Sequence, residues 1–406
     1  MPPRPVPSPA AHSPARRIVD FLRVEQVGGI VLLAAAALAL VAANTPMSGA
    51  YQDLRHLTFG PAALGARLDV EHWAADGLLA LFFFVAGLEV KRELVVGELS
   101  DRRAAALPVL AALGGMVVPA LLYLAIAGGA PGAARGWAVP MATDIAFALG
   151  VLAVVGSHAP VGLRVFLLSL AVVDDLGAIA VIAVLYTSDL ALLPLLGAAV
   201  LCAAYALAQR ARLTSPALYV PLAGAVWLLV HAAGIHATVA GVALGLLTRV
   251  RPDDGEANAP ADRLEHRLQP WSAGLVVPVF AFTAAGVSLS GDVLSSSLTD
   301  RAAVGVVAGL VVGKTVGVLG ASWLAVRSHL ARLPAGTGWA DVAGVAVLAG
   351  AGFTVSLLIT VLAFDDPAQA DRVTVAVLVA SVAASVFGAA LIRARRSAHA
   401  GQPDAA

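Results

Sequence analysis

The sequence has little charge and almost no cysteine for its length. Only 13% of its 406 residues are charged, about half the usual share in a soluble domain, and 26 basic residues balance 26 acidic ones. No basic field is therefore available for a nucleic-acid partner. The single Cys202 excludes a disulfide framework and a thiolate metal cluster. Because 59% of the residues are hydrophobic, more than a water-surrounded core can bury, the chain is predicted to be a polytopic protein of the lipid bilayer.

Long apolar runs supply the predicted membrane-spanning segments. A helix that crosses a bilayer needs roughly 20 mostly apolar residues. Runs that meet this requirement, or come close to it, lie at 24–44, 72–90, 104–127, 134–156, 161–187, 189–208, 215–231, 233–248, 270–289, 301–326, 339–362 and 373–392. The prediction is an all-α polytopic membrane protein of about twelve transmembrane helices, within a membrane domain at 24–396.

The charged segments predict how the chain is oriented. Residues 1–23 and 397–406 are predicted to be cytoplasmic tails, and 249–267 a cytoplasmic linker between two hydrophobic halves. With both termini inside, the inner loops and tails carry 20 Lys and Arg residues and the outer loops five. This bias is what the positive-inside rule requires.

Three carboxylates and one amine interrupt the apolar runs near mid-depth. Asp174 and Asp175 lie in the fifth run, Thr143 and Asp144 in the fourth, and Lys314 in the tenth. An unpaired charge at this depth costs about 2.5–3.5 kcal/mol, so these side chains are predicted to face the bundle interior or a water-filled cavity. One structural ion pair with Lys314 would leave two carboxylates without a basic partner. A functional site is therefore favoured.

The chemistry of these carboxylates fits two cations. Adjacent carboxylates disfavour each other's ionised forms, so the pair can take up and release protons near physiological pH. Carboxylate, hydroxyl and carbonyl oxygens also suit hard cations such as Na⁺ or Li⁺. A carboxylate that holds either a proton or Na⁺ couples the two by competition. This predicts an exchanger of ions, with no cofactor.

Two apolar runs are interrupted at corresponding places. Pro140 breaks the fourth run and the Gly-rich stretch 349–354 breaks the eleventh. The third to fifth runs (about 104–187) and the tenth to twelfth (about 301–392) therefore form two triplets of opposite orientation. Matching interruptions in inverted repeats are typical of transporter binding sites. The unwound backbone predicted for the second break includes Gly350, Gly352 and Thr354.

Seven motifs in order make the chain similar to NhaA-type bacterial Na⁺/H⁺ antiporters over roughly residues 18–396. They are FFFVAGLEVKREL (82–94), PMATDIAFALGVL (140–152), VVDDLGAIAVI (172–182), GIHATVAGV (234–242), RLEHRLQPW (263–271), GKTVGV (313–318) and AGAGFTVSLLI (349–359). That family is a known example of inverted repeats. The resemblance implies electrogenic, pH-regulated exchange of Na⁺ or Li⁺ for H⁺ across the bacterial inner membrane. It also implies activation at alkaline pH, and a homodimer formed through a β-hairpin within 46–70.

The resemblance also implies roles for individual residues. Asp175 would be the principal ligand of the cation and the proton, and Asp174 would pair with Lys314. Thr143 and Asp144 would lie at the unwound crossing and would also take part in binding the cation and the proton.

A pH-sensing cluster is implied at the cytoplasmic mouth. Its expected members are Glu89, Arg92, Glu93, His236, Glu265 and His266. From the residues alone, solvated helix ends and a packed core histidine are the favoured explanation of these side chains, and only the resemblance favours a pH sensor. Gln269 stands where some members of the family carry another histidine, which predicts an altered pH profile.

Two alternative functions remain open at this point. One is a proton-coupled carrier of a small organic solute. The other is an intramembrane aspartyl protease that uses Asp144 and Asp175. Gly313-Lys314-Thr315 lacks the first glycine of a phosphate-binding loop. The recurrence of glycine at 305, 309, 313 and 317 predicts close helix packing instead.

Overall fold

The computed structural model describes residues 25–155, 160–187, 190–253 and 256–399. The predicted tail 1–23 and residues 400–406 lie outside this part of the chain. The helices are α1 Glu25–Ala43, α2 Ser48–Arg55, α3 Val70–Val95, α4 Arg102–Ala127, α5 Ile145–Val155, α6 Val161–Leu185, α7 Leu192–Arg210, α8 Pro216–Ala232, α9 Thr238–Leu247, α10 Pro260–Trp271, α11 Val277–Ala284, α12 Gly291–Thr299, α13 Arg301–Arg327, α14 Trp339–Leu348, α15 Phe353–Ala363 and α16 Pro367–His399.

Several short segments complete the fold. Single π-helical stretches lie within α3 and α13, and another joins α10 to α11: Trp73–Leu78, Gly309–Gly313 and Ser272–Val276. The 3₁₀ segments are Ala62–Leu64, Glu98–Ser100 and Ala133–Met141. The largest buried apolar cluster lies among α1, α3, α4, α11, α13, α15 and α16.

The helices confirm the multi-pass membrane class. Within the described residues, six helices are long and apolar enough to cross a membrane, and three bent pairs raise the number to nine. The shorter apolar helices α8 and α9 occupy the predicted seventh and eighth runs. The count of twelve spans stays a prediction.

Both predicted interruptions are present, and the two broken helices pass each other in opposite directions. The chain bends by 40° between Ala133–Met141 and α5, and by 44° between α14 and α15. Ser356 Oγ donates to Val139 O at 2.7 Å, and the Asp144 amide donates to Ala351 O at 2.7 Å. Position 139 therefore lies opposite 356, and position 144 lies opposite 351. The two segments are antiparallel, as inverted triplets require.

The predicted glycine stripe packs α13 against α4. A Cβ atom on Gly317 would lie 2.2 Å from the carbonyl oxygen of Gly114, and one on Gly313 would lie 2.7 Å from Pro119 Cα. Gly305 and Gly309 meet other side chains of the same region at comparable distances. Only glycine permits this approach, and it brings the middle of α13, with Lys314, beside the crossing.

The loop before α3 and the predicted linker before α10 both contain regular secondary structure. Strands β1 Thr58–Phe59 and β2 Leu68–Asp69 pair antiparallel, so a short hairpin is present in the expected region. Its part in a homodimer stays a prediction. Within the predicted linker 249–267, α10 begins at Pro260, a residue well suited to the first turn of a helix, and the cytoplasmic position of the linker stays a prediction.

Candidate functional site

Asp144 joins the two interrupted helices at their amino-terminal ends. Its Oδ1 accepts a hydrogen bond from the Phe147 amide at 2.9 Å, which caps α5. Its Oδ2 accepts from the amide and the hydroxyl of Thr354, at 3.1 and 2.7 Å, at the start of α15. One buried carboxylate therefore offsets the positive ends of two helix dipoles.

Lys314 occupies the complementary position at a carboxyl-terminal end. Its ammonium group is fully buried and donates to the carbonyl oxygen of Met141, the last residue of the first half-helix. The same group donates to Asp174 Oδ2. A cation next to a helix carboxyl terminus is the electrostatic counterpart of Asp144 at the amino termini.

Thr143 connects the crossing to Asp174. Its Oγ1 lies 2.7 Å from Asp174 Oδ2 and 2.8 Å from the carbonyl oxygen of Ala349. The hydroxyl carries one proton, so it donates to one of these acceptors at a time. The structure thus brings Thr143, Asp174 and Lys314 together around a single carboxylate oxygen.

Two buried oxygens in this site have no hydrogen-bond partner among the described residues. They are Oδ1 of Asp174 and Oδ1 of Asp175, on side chains that are 0% and 2% exposed. A buried acceptor without a partner is costly and rare in native proteins. These oxygens are therefore available to a proton or a hard cation. Within the described residues, no group of three or more His, Cys, Asp or Glu side chains is arranged to hold a resident metal ion.

Most of the expected pH-sensing residues meet where α3 approaches α10. Arg92 Nη1 lies 2.8 Å from both carboxylate oxygens of Glu265, and Arg92 Nη2 lies 4.0 Å from Glu93. Burial raises the pKa of Glu265 above its usual range, although the Arg92 guanidinium acts against this. Glu89 is close enough to interact electrostatically with Arg92 and with Asp175. His266, by contrast, is exposed.

His236 does not belong to this cluster, contrary to the expectation. Its Nε2 lies 2.7 Å from Asp76 Oδ1, near the beginning of α3. Arg92 is near the other end of the same helix, roughly 24 Å away at 1.5 Å per residue. Asp76 is not among the site residues predicted from the sequence. The available signal was a carboxylate four residues inside the second apolar run.

Buried carboxylates and a lysine at the crossing of two interrupted, oppositely directed helices define a class of protein, the membrane transporter with inverted repeats. Residues 19–392 match the family model described as Na⁺/H⁺ antiporter 1. The chain belongs to this family, whose members are transporters and not enzymes.

Named relatives agree over nearly the whole chain. The Na(+)/H(+) antiporter NhaA 1 of Saccharopolyspora erythraea is 61% identical over 376 residues, 93% of this chain and 91% of the relative. The Na(+)/H(+) antiporter NhaA 2 of Rhodococcus jostii is 58% identical over 387 residues, 95% and 94% of the two chains. The Na(+)/H(+) antiporter NhaA of Thermobifida fusca is 52% identical over 405 residues, 97% of each. The family resemblance in the sequence is therefore confirmed.

Proposed function

We propose that this chain exchanges Na⁺ for H⁺ across a membrane, with both ions competing for Asp174 and Asp175. The observation that carries the proposal is the pair of buried Oδ1 atoms without a hydrogen-bond partner among the described residues, on consecutive positions of α6. A carboxylate in this setting is stable when it binds a proton or a cation, and it cannot hold both. Release of one ion is therefore tied to binding of the other.

Asp175 is the principal site, because its Oδ1 has no donor and Asp174 already holds Lys314. Na⁺ would bind between the two carboxylates, with the Thr143 hydroxyl as a further hard ligand. Na⁺ on Asp174 places a second cation next to Lys314, so ion binding weakens the contact between Lys314 and Asp174. This couples occupancy of the site to the position of α13.

Asp144 holds the crossing together and is not a primary ligand in this scheme. Both of its oxygens already accept hydrogen bonds from α5 or α15. The unwound stretch with Gly350 and Gly352 lets the half-helices meet there, whereas Thr354, which was also predicted to be unwound, lies in the first turn of α15. Rocking of the two broken helices about this joint would expose the site to either side.

The Arg92–Glu265 contact is proposed as the pH-sensing mouth on the cytoplasmic side. Glu89 interacts electrostatically both with Arg92 in this contact and with Asp175 in the binding site. The excess of Lys and Arg in the predicted inner loops supports a cytoplasmic position for both termini in a bacterial cell. Transport of Li⁺, electrogenic exchange and a homodimer formed through the β1–β2 hairpin complete the proposal.

The two alternative functions are not favoured. An aspartyl protease needs two carboxylates free to share a proton and a water molecule, whereas the Asp144 oxygens already accept hydrogen bonds from helix amides and a hydroxyl. A carrier of an organic solute has no support in the names of the relatives, which all specify Na⁺ and H⁺.

The test is Na⁺-dependent proton movement in everted membrane vesicles, followed with a pH-sensitive dye and compared across Na⁺, Li⁺ and K⁺. Asp175→Asn should abolish exchange while the protein still inserts, because the neutral amide cannot alternate between the two cations. Asp292→Asn, at an exposed position of α12, is the matched control and should exchange normally. Normal exchange by Asp175→Asn would remove Asp175 from the mechanism.

A further inference from the structure

A second cluster of titratable groups lies at the other end of α3, where Asp76 faces two histidines. Asp76 Oδ1 lies 2.7 Å from His236 Nε2, and Asp76 Oδ2 lies 3.6 Å from His231 Nδ1. The two imidazoles come from different places, since His231 is in the last turn of α8 and His236 precedes α9. One carboxylate of α3 therefore contacts both α8 and the turn before α9.

The two histidines differ in their hydrogen bonds and in their exposure, and therefore in the contacts that protonation could add. His236 is hydrogen-bonded at both ring nitrogens, to Asp76 and to the Thr238 hydroxyl at 2.7 Å, and its side chain is only 6% exposed. His231 is 26% exposed, and at 3.6 Å its contact with Asp76 is too long for a hydrogen bond. His231 is thus the more exposed of the two imidazoles, and a small approach to Asp76 Oδ2 would give it a hydrogen bond that it lacks at 3.6 Å.

An aromatic stack would stabilise a protonated His231. The imidazole lies parallel to the Trp227 ring, with 5.5 Å between centroids and 2° between planes. A cation at this distance from an indole face is attracted by the ring. The stack continues from Trp227 to Trp73 at 5.5 Å, and from Trp73 to Phe59 in β1 at 5.7 Å. The Trp227 Nε1 also donates to the Asp76 carbonyl oxygen at 2.8 Å.

We propose that His231 is a proton-binding residue of a pH-dependent contact at the end of α3 opposite to Arg92 and Glu265. When protonated, it bridges the Asp76 carboxylate and the Trp227 ring, and it holds the end of α8 more tightly to α3. When neutral, it loses both attractions, and this end of α3 is held by fewer contacts. Imidazole is the side chain whose charge ordinarily changes between pH 5 and 8.

Two other titratable groups act on Asp76 from the described neighbouring elements. His236 shares the carboxylate, and His72 acts on Asp76 more weakly from one turn earlier in α3. His72 is itself bound to Asp69, with 2.6 Å between His72 Nδ1 and Asp69 Oδ1. His236 is bound to Asp76 Oδ1, so Oδ2 is the oxygen that faces His231.

The consequence for transport, which rests on the proposed function, follows from the continuity of α3. The same helix carries Glu89 and Arg92 near its other end, and it packs closely on α9 at Gly241, where a Cβ atom would lie 2.1 Å from the Ala80 carbonyl oxygen. A clamped α3 resists the movements that exchange requires. Protons on the side of His231 are therefore expected to slow exchange, independently of protons at the Arg92–Glu265 mouth.

The first experiment follows tryptophan fluorescence of the purified full chain between pH 5 and 8, without any ion gradient. An imidazolium stacked on Trp227 should quench its emission, so emission should fall on acidification. This step should be lost in His231→Gln and in Trp227→Phe, and it should persist in His56→Gln, an exposed histidine elsewhere. The same step in His231→Gln as in the unmodified chain would overturn the assignment of the proton to His231.

The second experiment measures exchange in proteoliposomes with the pH on each side set separately. On the side opposite to the Arg92–Glu265 mouth, His231→Gln should raise the rate at pH 6 about two- to threefold and leave the rate at pH 8 unchanged. Equal rates for both proteins at both pH values would overturn the coupling of His231 to transport. Absence of Na⁺-dependent exchange in the unmodified chain would instead overturn the proposed function, and the fluorescence step would be unaffected.

Discussion

Lys314 and Asp174 are single residues whose charges depend on each other. Both side chains are fully buried, and each offsets the other's cost of leaving water. Removal of one partner from a buried ion pair typically costs about 3–5 kcal/mol, whereas replacement of both can be nearly neutral. The pair is therefore a stability element as well as part of the proposed binding site.

Lys314→Met should lower the free energy of unfolding by about 3–5 kcal/mol, because Asp174 is left as an uncompensated buried charge. The double variant Lys314→Met/Asp174→Asn should recover most of this loss. Thermal unfolding of the purified proteins in detergent measures both. A double variant as unstable as the sum of the two single variants would contradict the pairing.

Glu265 should make the stability of the fold depend on pH in a direction that its shifted pKa determines. Burial raises its pKa in the folded state, with Arg92 opposing. The stability it contributes is therefore present below its unfolded pKa and is lost as pH rises through the folded value. Relative to Glu265→Gln, the unmodified chain should become less stable as pH rises from about 4 towards neutral.

Glu256 is the matched control, because its pKa is shifted in the opposite direction. Hydrogen bonds from the Asp253 amide and from Arg249 lower its pKa. Its contribution is present above the unfolded pKa and lost as pH falls through the folded value. The difference in thermal stability between the unmodified chain and each variant should thus change with pH in opposite directions for Glu265→Gln and Glu256→Gln. Parallel slopes would contradict the assignment for Glu265.

At the scale of elements, helix pairs meet through glycines that admit no side chain. The contact between α4 and α13 is the clearest case, since Gly114 and Gly317 each lie against the other's carbonyl oxygen. This contact fixes how far Lys314 reaches towards the crossing. A change there should alter both stability and the site.

Gly317→Ala should destabilise the fold by about 1–3 kcal/mol, because the added Cβ forces α4 and α13 apart. Gly320→Ala is the control in the same helix, since a Cβ at Gly320 meets nothing within 4 Å. That change should be neutral or stabilising by up to about 1 kcal/mol, through helix propensity alone. Thermal unfolding compares the two, and equal effects would show that the close contact is unimportant.

At the scale of the whole molecule, the proposed orientation predicts which surfaces are reached from each side. In a Cys202→Ser background, Ala257→Cys in the linker should react with an impermeant thiol reagent only from the cytoplasmic side. Asp365→Cys, exposed before α16, should react only from the opposite side. Labelling of both positions from one side would overturn the orientation and the proposed cytoplasmic mouth.

Much of the architecture followed from local composition. Apolar length predicted the membrane class, and Pro140 and the glycines at 350 and 352 predicted where the two helices break. Mid-depth charge predicted Asp144, Asp174, Asp175 and Lys314 as one buried site. These features can be predicted from the sequence, because the cost of inserting a charge or a broken helix into lipid depends mainly on nearby residues.

Tertiary packing decided which partners these residues have. Asp144 binds Thr354 across 210 positions of sequence, and this contact makes one carboxylate cap two helices. Packing also placed His236 beside Asp76 and His231, away from Arg92 and Glu265, and this reversed the expectation for that histidine. No local pattern encodes such pairs, since they depend on how the helices cross. The sequence by itself thus determined that charges are buried and helices interrupted, and only the three-dimensional fold decided which charge meets which helix end.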